Sequence, residues 1–199
     1  MRVLVAVVAG LVVGGLTSPL QTVLPGGVGS LANSGAPWVL VAMALVYWAR
    51  TTGIRGAALG FGTLAAEVLG YYAVSILRGF DQSVFYIVFW LVAALLFGAV
   101  GGYAVGLLRS DQAARRLAGL AVPTAVLVSE GVSIAWLTGN REHIPYGIGS
   151  IIIGAVIGVI GTMRLGETAT QRILAPLGMI LLSAVLFAGM ATAGSVILG

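Results

Sequence analysis

The chain reads as long apolar stretches broken by short polar knots. Runs bounded by charges, Pro or Gly clusters number seven, at about 3–24, 37–49, 56–77, 83–108, 117–138, 146–163 and 173–198. Most approach the roughly 20 residues that a helix needs to cross about 30 Å of hydrocarbon. The second and sixth are short, and are expected to extend into flanking residues or to stand with little tilt. A backbone in lipid must satisfy its own hydrogen bonds, which favours helices. The pattern therefore predicts an all-α integral membrane protein with seven transmembrane helices, in a single transmembrane domain over residues 1–199.

Composition makes the same point from the solvent side. Apolar residues are 59% and charged residues 8%, with a mean hydropathy of +1.09. A soluble domain is roughly 25% charged, so an ordinary cytosolic enzyme, a disordered chain and a nucleic-acid-binding domain are all excluded. The pI near 10.0 is instead a matter of topology. Arg2, Arg50, Arg55, Arg109, Arg115, Arg116, Arg164 and Arg172 fall in one alternating set of loops, and only Arg78 and Arg141 in the other. With Asp111 and Glu167 the first set sums to 8 − 2 = +6. With Asp81 and Glu142 the second sums to 2 − 2 = 0. The positive-inside rule then places the N-terminus inside and, after seven crossings, Gly199 outside. A cleavable signal ending at Ser30-Leu31-Ala32 is the weaker reading, because the first apolar run exceeds the 7–15 residues typical of such a core.

All ten basic residues are Arg and there is no Cys, so disulfides, cysteine-bound zinc and a cysteine nucleophile are excluded. The Arg bias, with abundant Ala, Gly and Val, fits a GC-rich bacterial source and a multi-pass position in the inner (plasma) membrane. Trp38, Trp48, Tyr86, Tyr103, Trp136 and Tyr146 fall near span ends, where an interfacial belt is expected in preference to an aromatic ligand cage.

Within this apolar background two carboxylates stand out. Glu67 lies 12 residues after Arg55 and 11 before Arg78, about 16 Å from either end and so near the bilayer midplane. Glu130 lies 11 residues before Arg141. An unpaired carboxylate facing lipid there costs a few kcal/mol, so both are expected to face a common interior. Thr63, Glu67, Gly70 and Tyr71 share one face of the third span, and Glu130 shares its face with Ser133, two turns after Pro123. With no intramembrane Arg as counter-ion, a bound proton or a cation is expected. Thr63, Glu67, Tyr71, Glu130 and Ser133 are thus the candidate substrate- or proton-binding residues. The competing reading makes the carboxyls interhelical glue, bonded to Tyr71, Tyr72 or Ser133.

The third and fifth spans also suggest a repeat. Each carries a central Glu, an Arg eleven residues on, and an aromatic (Tyr86, Tyr146) opening the returning span, which ends in Arg109 or Arg164. Three hairpins and a final unpaired helix follow from this. The polar stretch from Thr17 to Trp38 is expected to be an outer loop rather than a lid over a cavity. Ala6, Gly10 and Gly14, like Gly98, Gly102 and Gly106, are small residues at four-residue spacing that permit close helix approach. They are read first as internal seams, with the stripe on the first span as the candidate docking face for a partner subunit.

Enzyme signatures are missing. His143 is the single His and lies in a loop, which excludes a Ser-His pair within the membrane and a two-His metal site. No catalytic residue, metal or cofactor is expected, and the chain is read as a non-enzyme. Its partners are expected to be the lipid bilayer, a small cationic or neutral ligand and a membrane partner subunit, but no nucleic acid.

Leu31-Ala32-Asn33-Ser34-Gly35-Ala36-Pro37-Trp38, with Glu67-Val68-Leu69-Gly70-Tyr71-Tyr72 and Ser129-Glu130-Gly131, resembles a family of small actinobacterial multi-span proteins of unknown function. The resemblance covers most of the chain and implies no catalytic residues. A looser architectural likeness is to the substrate-capturing subunits of energy-coupling-factor vitamin transporters, whose first-span small-residue stripe would correspond to Ala6, Gly10 and Gly14; seven spans here depart from their usual six. The leading expectation is a membrane protein that binds or moves a small molecule or proton through Glu67, supported by Glu130. The alternative is a non-catalytic scaffold or assembly partner with structural Glu residues.

Overall fold

The computed structural model describes residues 1–32, 34–136 and 141–198, so Asn33, the last two residues of the fifth expected span and Gly199 lie outside it. Every regular element among the described residues is helical. In order these are α1 (Arg2–Val23), the single turn α2 (Gly26–Gly29), α3 (Gly35–Ala49), α4 (Gly53–Leu77), α5 (Val84–Ala93), α6 (Ala99–Leu108), α7 (Ala113–Trp136), α8 (Ile144–Leu165) and α9 (Ala169–Leu198). A 3₁₀ turn, Ser30–Ala32, follows α2, and a π-helical turn, Ala94–Gly98, joins α5 and α6 into one continuous span.

Among the described residues six spans are long and apolar enough to cross a membrane. The sixth expected span, short by its apolar run, reaches 22 residues as α8 because flanking residues at both ends continue the helix. At the second of the seven expected crossings stands α3, a shorter apolar helix of 15 residues. At helical rise that is about 22 Å, less than the thickness of the hydrocarbon layer.

The helices gather into two compact units, residues 1–107 and 108–199. In each, the helix carrying the central Glu is the hub. α4 and α7 are each 56% buried along their apolar windows, against 11–28% for the other long spans.

In the first unit α1 packs along α4 with almost no side chain between them. A Cβ on Gly10 would come within 2.7 Å of the Thr63 carbonyl oxygen, one on Gly14 would overlap the backbone of Glu67, and one on Gly70 would overlap that of Leu11. Contact positions rise together along both helices, so α1 and α4 run parallel. The docking role expected for Ala6, Gly10 and Gly14 is corrected by this: all three are buried, and the stripe is occupied by α4 of the same chain.

Between these parallel helices the chain must return, and α3 does so. Trp38 at its start meets Tyr71 late in α4. At its end Arg50, in the left-handed region (φ 60°), and Gly53 (φ 58°) turn the backbone directly into α4. On its other side α4 meets the span formed by α5 and α6, running antiparallel. Gly60 lies against Gly98 and Gly56 against Gly102, backbone to backbone. The α4 terminus closes through Gly79 (φ 85°), with the Gly79 N–H donating to Ile76 O (2.9 Å) and the Phe80 N–H to Ser75 O (3.1 Å). This two-bond cap needs a residue free to adopt positive φ.

The second unit is a three-helix array about α7. α8 returns antiparallel, with Gly131 against the Gly147 carbonyl and Gly158 against Thr124. α9 lies along α7, where Ser133 Oγ approaches Met190 Sδ at 3.6 Å.

The seam residues make a direct test. In Gly14→Ala the new methyl meets backbone that cannot rotate away, and a loss of about 1–3 kcal/mol is expected from overpacking. Gly149, whose Cβ would meet nothing within 4 Å, is the control. Gly149→Ala should be neutral or slightly stabilising by helix propensity, both variants being read by thermal unfolding in detergent.

Candidate functional site

The two carboxylates occupy different chemical settings. Glu67 lies in the first unit and Glu130 in the second, each on its own hub helix. Glu130 is 8% exposed and accepts a hydrogen bond from Tyr146 Oη at 2.8 Å. Ser133, expected to share in that site, instead donates to Ser129 O (3.0 Å), the local bond open to a helical Ser hydroxyl. Glu130 therefore has the character of a packing contact between α7 and α8. The glue expected to come from Tyr71, Tyr72 or Ser133 is supplied in this unit by Tyr146.

Glu67 is 0% exposed, and neither carboxyl oxygen has a hydrogen-bond partner among the described residues. Thr63, one turn earlier and also 0% exposed, has an unpartnered hydroxyl as well. Large buried polar groups in proteins are nearly always hydrogen-bonded. The neighbouring helices provide no countercharge: α1 has only Arg2, at its start, while α3 and the span Val84–Leu108 have no charged residue. A carboxylate so placed is stable with a proton or a cation bound, and otherwise costs several kcal/mol.

One turn further along α4, Val68, Tyr71 and Tyr72 form one wall of a cavity of about 280 Å³. Its other walls are Gln21 from α1, Ala32 and Ser34 from the connection to α3, Gly35 and Trp38 at the start of α3, and Gln82, Tyr86 and Trp90 leading into α5. The cavity exists because α3 is short. α3 begins late, and the Gly-rich segment before it folds over the vacant end. Tyr71 Oη donates to Gln21 Oε1 (3.1 Å) and Gln21 Nε2 donates to Ala32 O (3.0 Å), pinning that segment down. The outer-loop expectation for this stretch is thus corrected to a capping segment.

Arg78 fixes the same end of the bundle. It donates to Ser18 O, to Ser18 Oγ (2.9 Å) and to Thr22 Oγ1 (3.0 Å), and Ser18 Oγ also accepts from Ser75 (2.9 Å). These bonds lock α1 to α4 directly beside the cavity wall.

Of the candidate residues, Thr63, Glu67 and Tyr71 lie on one face of α4, as their spacing requires, and Tyr71 reaches the cavity. Trp38 and Tyr86, assigned to an interfacial belt, line it too. Trp90 and Gln82 were missed. The available signal was the four-residue spacing of Tyr86 and Trp90, which puts both rings on one helix face. Tyr86 and Trp90 line the cavity while remaining 43% and 45% exposed, and Trp48, Tyr103 and Trp136 are well exposed too.

The carboxylates predict opposite mutational behaviour. Tyr146→Phe strips Glu130 of a hydrogen bond and should lower thermal stability by about 1–3 kcal/mol. Glu130→Gln keeps an acceptor for Tyr146 and should be nearly silent in the same unfolding assay.

No curated protein and no solved structure matches the chain. Residues 1–195 match a family of unknown function, DUF6518, and the chain belongs to that family.

Proposed function

We propose that this protein binds a small molecule within the membrane and carries it, or hands it on, in a step linked to the charge state of Glu67. The supporting observation is the conjunction in the first unit of a fully buried, unpartnered carboxyl with an aromatic-walled cavity one helical turn away. A carboxyl that serves packing finds a partner, as Glu130 does with Tyr146. Glu67 has no such partner among the described residues, which leaves its oxygens open to a proton or a cation. Glu130 and Ser133 then belong to the scaffold of the second unit. The reading places the protein in a bacterial inner membrane as a seven-pass chain with its N-terminus inside, α3 and its capping segment together completing the second pass. It requires no enzymatic chemistry.

Glu67→Gln retains volume and removes the titratable charge. A thermal-shift screen of small molecules in detergent, run across pH, should find at least one compound that raises the unfolding temperature of the wild type and not of Glu67→Gln. Equal shifts in both proteins, or none in either, would overturn the reading. Glu67→Met should separate stability from function. Replacing an unsatisfied buried polar group by an apolar one of similar size is expected to stabilise the ligand-free protein by about 1–3 kcal/mol, while abolishing proton-linked uptake in proteoliposomes.

A further inference from the structure

The cavity's lining is specific enough to select among classes of small molecule. Five of its side chains are aromatic, Trp38, Tyr71, Tyr72, Tyr86 and Trp90, and its polar ones, Gln21, Gln82 and Ser34, are uncharged. An anion would find no Arg, and would face rings whose π surfaces carry negative partial charge. A cation would find the surroundings that aromatic cages offer to ammonium groups, and the attraction strengthens as water is excluded. At about 280 Å³ the space is below the usual range for drug-sized ligands, so the ligand is compact.

Two further features accompany this lining. Ser34, 8% exposed, lines the cavity, and its hydroxyl has no partner among the described residues. By contrast Tyr71 is bonded to Gln21 and Gln21 to the capping segment, so the wall is pre-organised while the Ser34 hydroxyl is left open. The second is Glu67, the one formal negative charge within the helices of the first unit. It does not itself line the cavity, but it directly precedes the lining residue Val68 and lies four residues before Tyr71, on the same face of α4.

We propose that this cavity takes a small organic ammonium cation, held by its aromatic walls and balanced by the Glu67 carboxylate. The proposal rests on the small-molecule reading above and names the class of ligand. Since Glu67 has one negative charge to balance, a proton and the ammonium compete for it. Binding should therefore weaken as pH falls, with one proton taken up for each cation released. The other charged or titratable groups on the elements packed around α4 are Arg2 on α1, Tyr47 on α3, Tyr86 on α5 and Tyr103 on α6, with Arg55, Tyr71 and Tyr72 on α4 itself and Arg78 at its C-cap. Arg78 is engaged with Ser18 and Thr22, and Tyr71 with Gln21.

The test compares choline with its uncharged carbon isostere 3,3-dimethylbutan-1-ol on the purified full chain in lipid nanodiscs. Intrinsic tryptophan fluorescence and thermal unfolding are the readouts. Choline should change the emission of the wild type and raise its unfolding temperature, with an affinity at least tenfold above that of the isostere and falling as pH is lowered. Glu67→Gln should lose at least tenfold in choline affinity and lose the pH dependence, and Trp90→Leu should lose affinity while keeping the pH dependence. Equal binding of the isostere would overturn the ammonium assignment and leave the small-molecule reading standing. So would a failure of choline to bind where other compounds in the screen stabilise the wild type but not Glu67→Gln.

Discussion

The close parallel contact between α1 and α4 is the constraint on which the first unit depends. A carboxyl at the middle of a membrane span is tolerable only if protein rather than lipid surrounds it, and ordinary side chains would hold the helices too far apart to seal it. Gly10 and Gly14 remove that spacing and bring α1 onto the backbone of Thr63 and Glu67. The consequences run along the bundle. Parallel helices cannot be joined by a short loop, so the chain must come back between them, and α3 is that return. With only 15 residues, α3 leaves one end of the space unfilled, and that end is the aromatic cavity.

The two hubs show how one sequence theme is put to different uses. Glu67 and Glu130 each precede an Arg by eleven residues, and each hairpin opens its second span with a Tyr, at 86 or 146. In the second unit the Tyr hydroxyl takes the carboxylate directly. In the first unit Tyr86 lines the cavity and Glu67 is left without a partner. The glycine seams differ in the same sense. Gly131 and Gly147 meet immediately beside Glu130, drawing α8 onto the carboxylate. Gly60 and Gly98 meet two turns before Glu67, so the returning span is not pulled against it.

Much of this was legible in the sequence because hydrocarbon imposes simple rules. Apolar runs gave the span positions to within a few residues, and four-residue spacing of small residues gave the seams. The depth of Glu67, together with the lack of any Arg to pair with it, singled it out. What was not legible depends on which helix meets which. Gly10 and Gly14 were recognised as a close-approach surface, yet nothing in their spacing says that α4, rather than another subunit, is the partner. The cavity was hidden for a related reason. Its aromatic rings come from α3, α4 and α5, and each ring taken singly, near a span end, has the properties of an interfacial anchor.

Some of the unsatisfied groups of the first unit are set close to one cavity: Ser34 lines it, and Glu67 and Thr63 lie on the face of α4 that carries Tyr71. Met at position 67 would occupy a similar volume without desolvating a charge. The hydroxyls of Thr63 and Ser34 could likewise be bonded or deleted at little cost. Arg78, at the end of the same helix, is by contrast bonded to two residues of α1, and Tyr71 and Gln21 are bonded to each other. On the reading proposed above, the Glu67 carboxyl, one helical turn from the aromatic wall, is the group whose partner comes and goes.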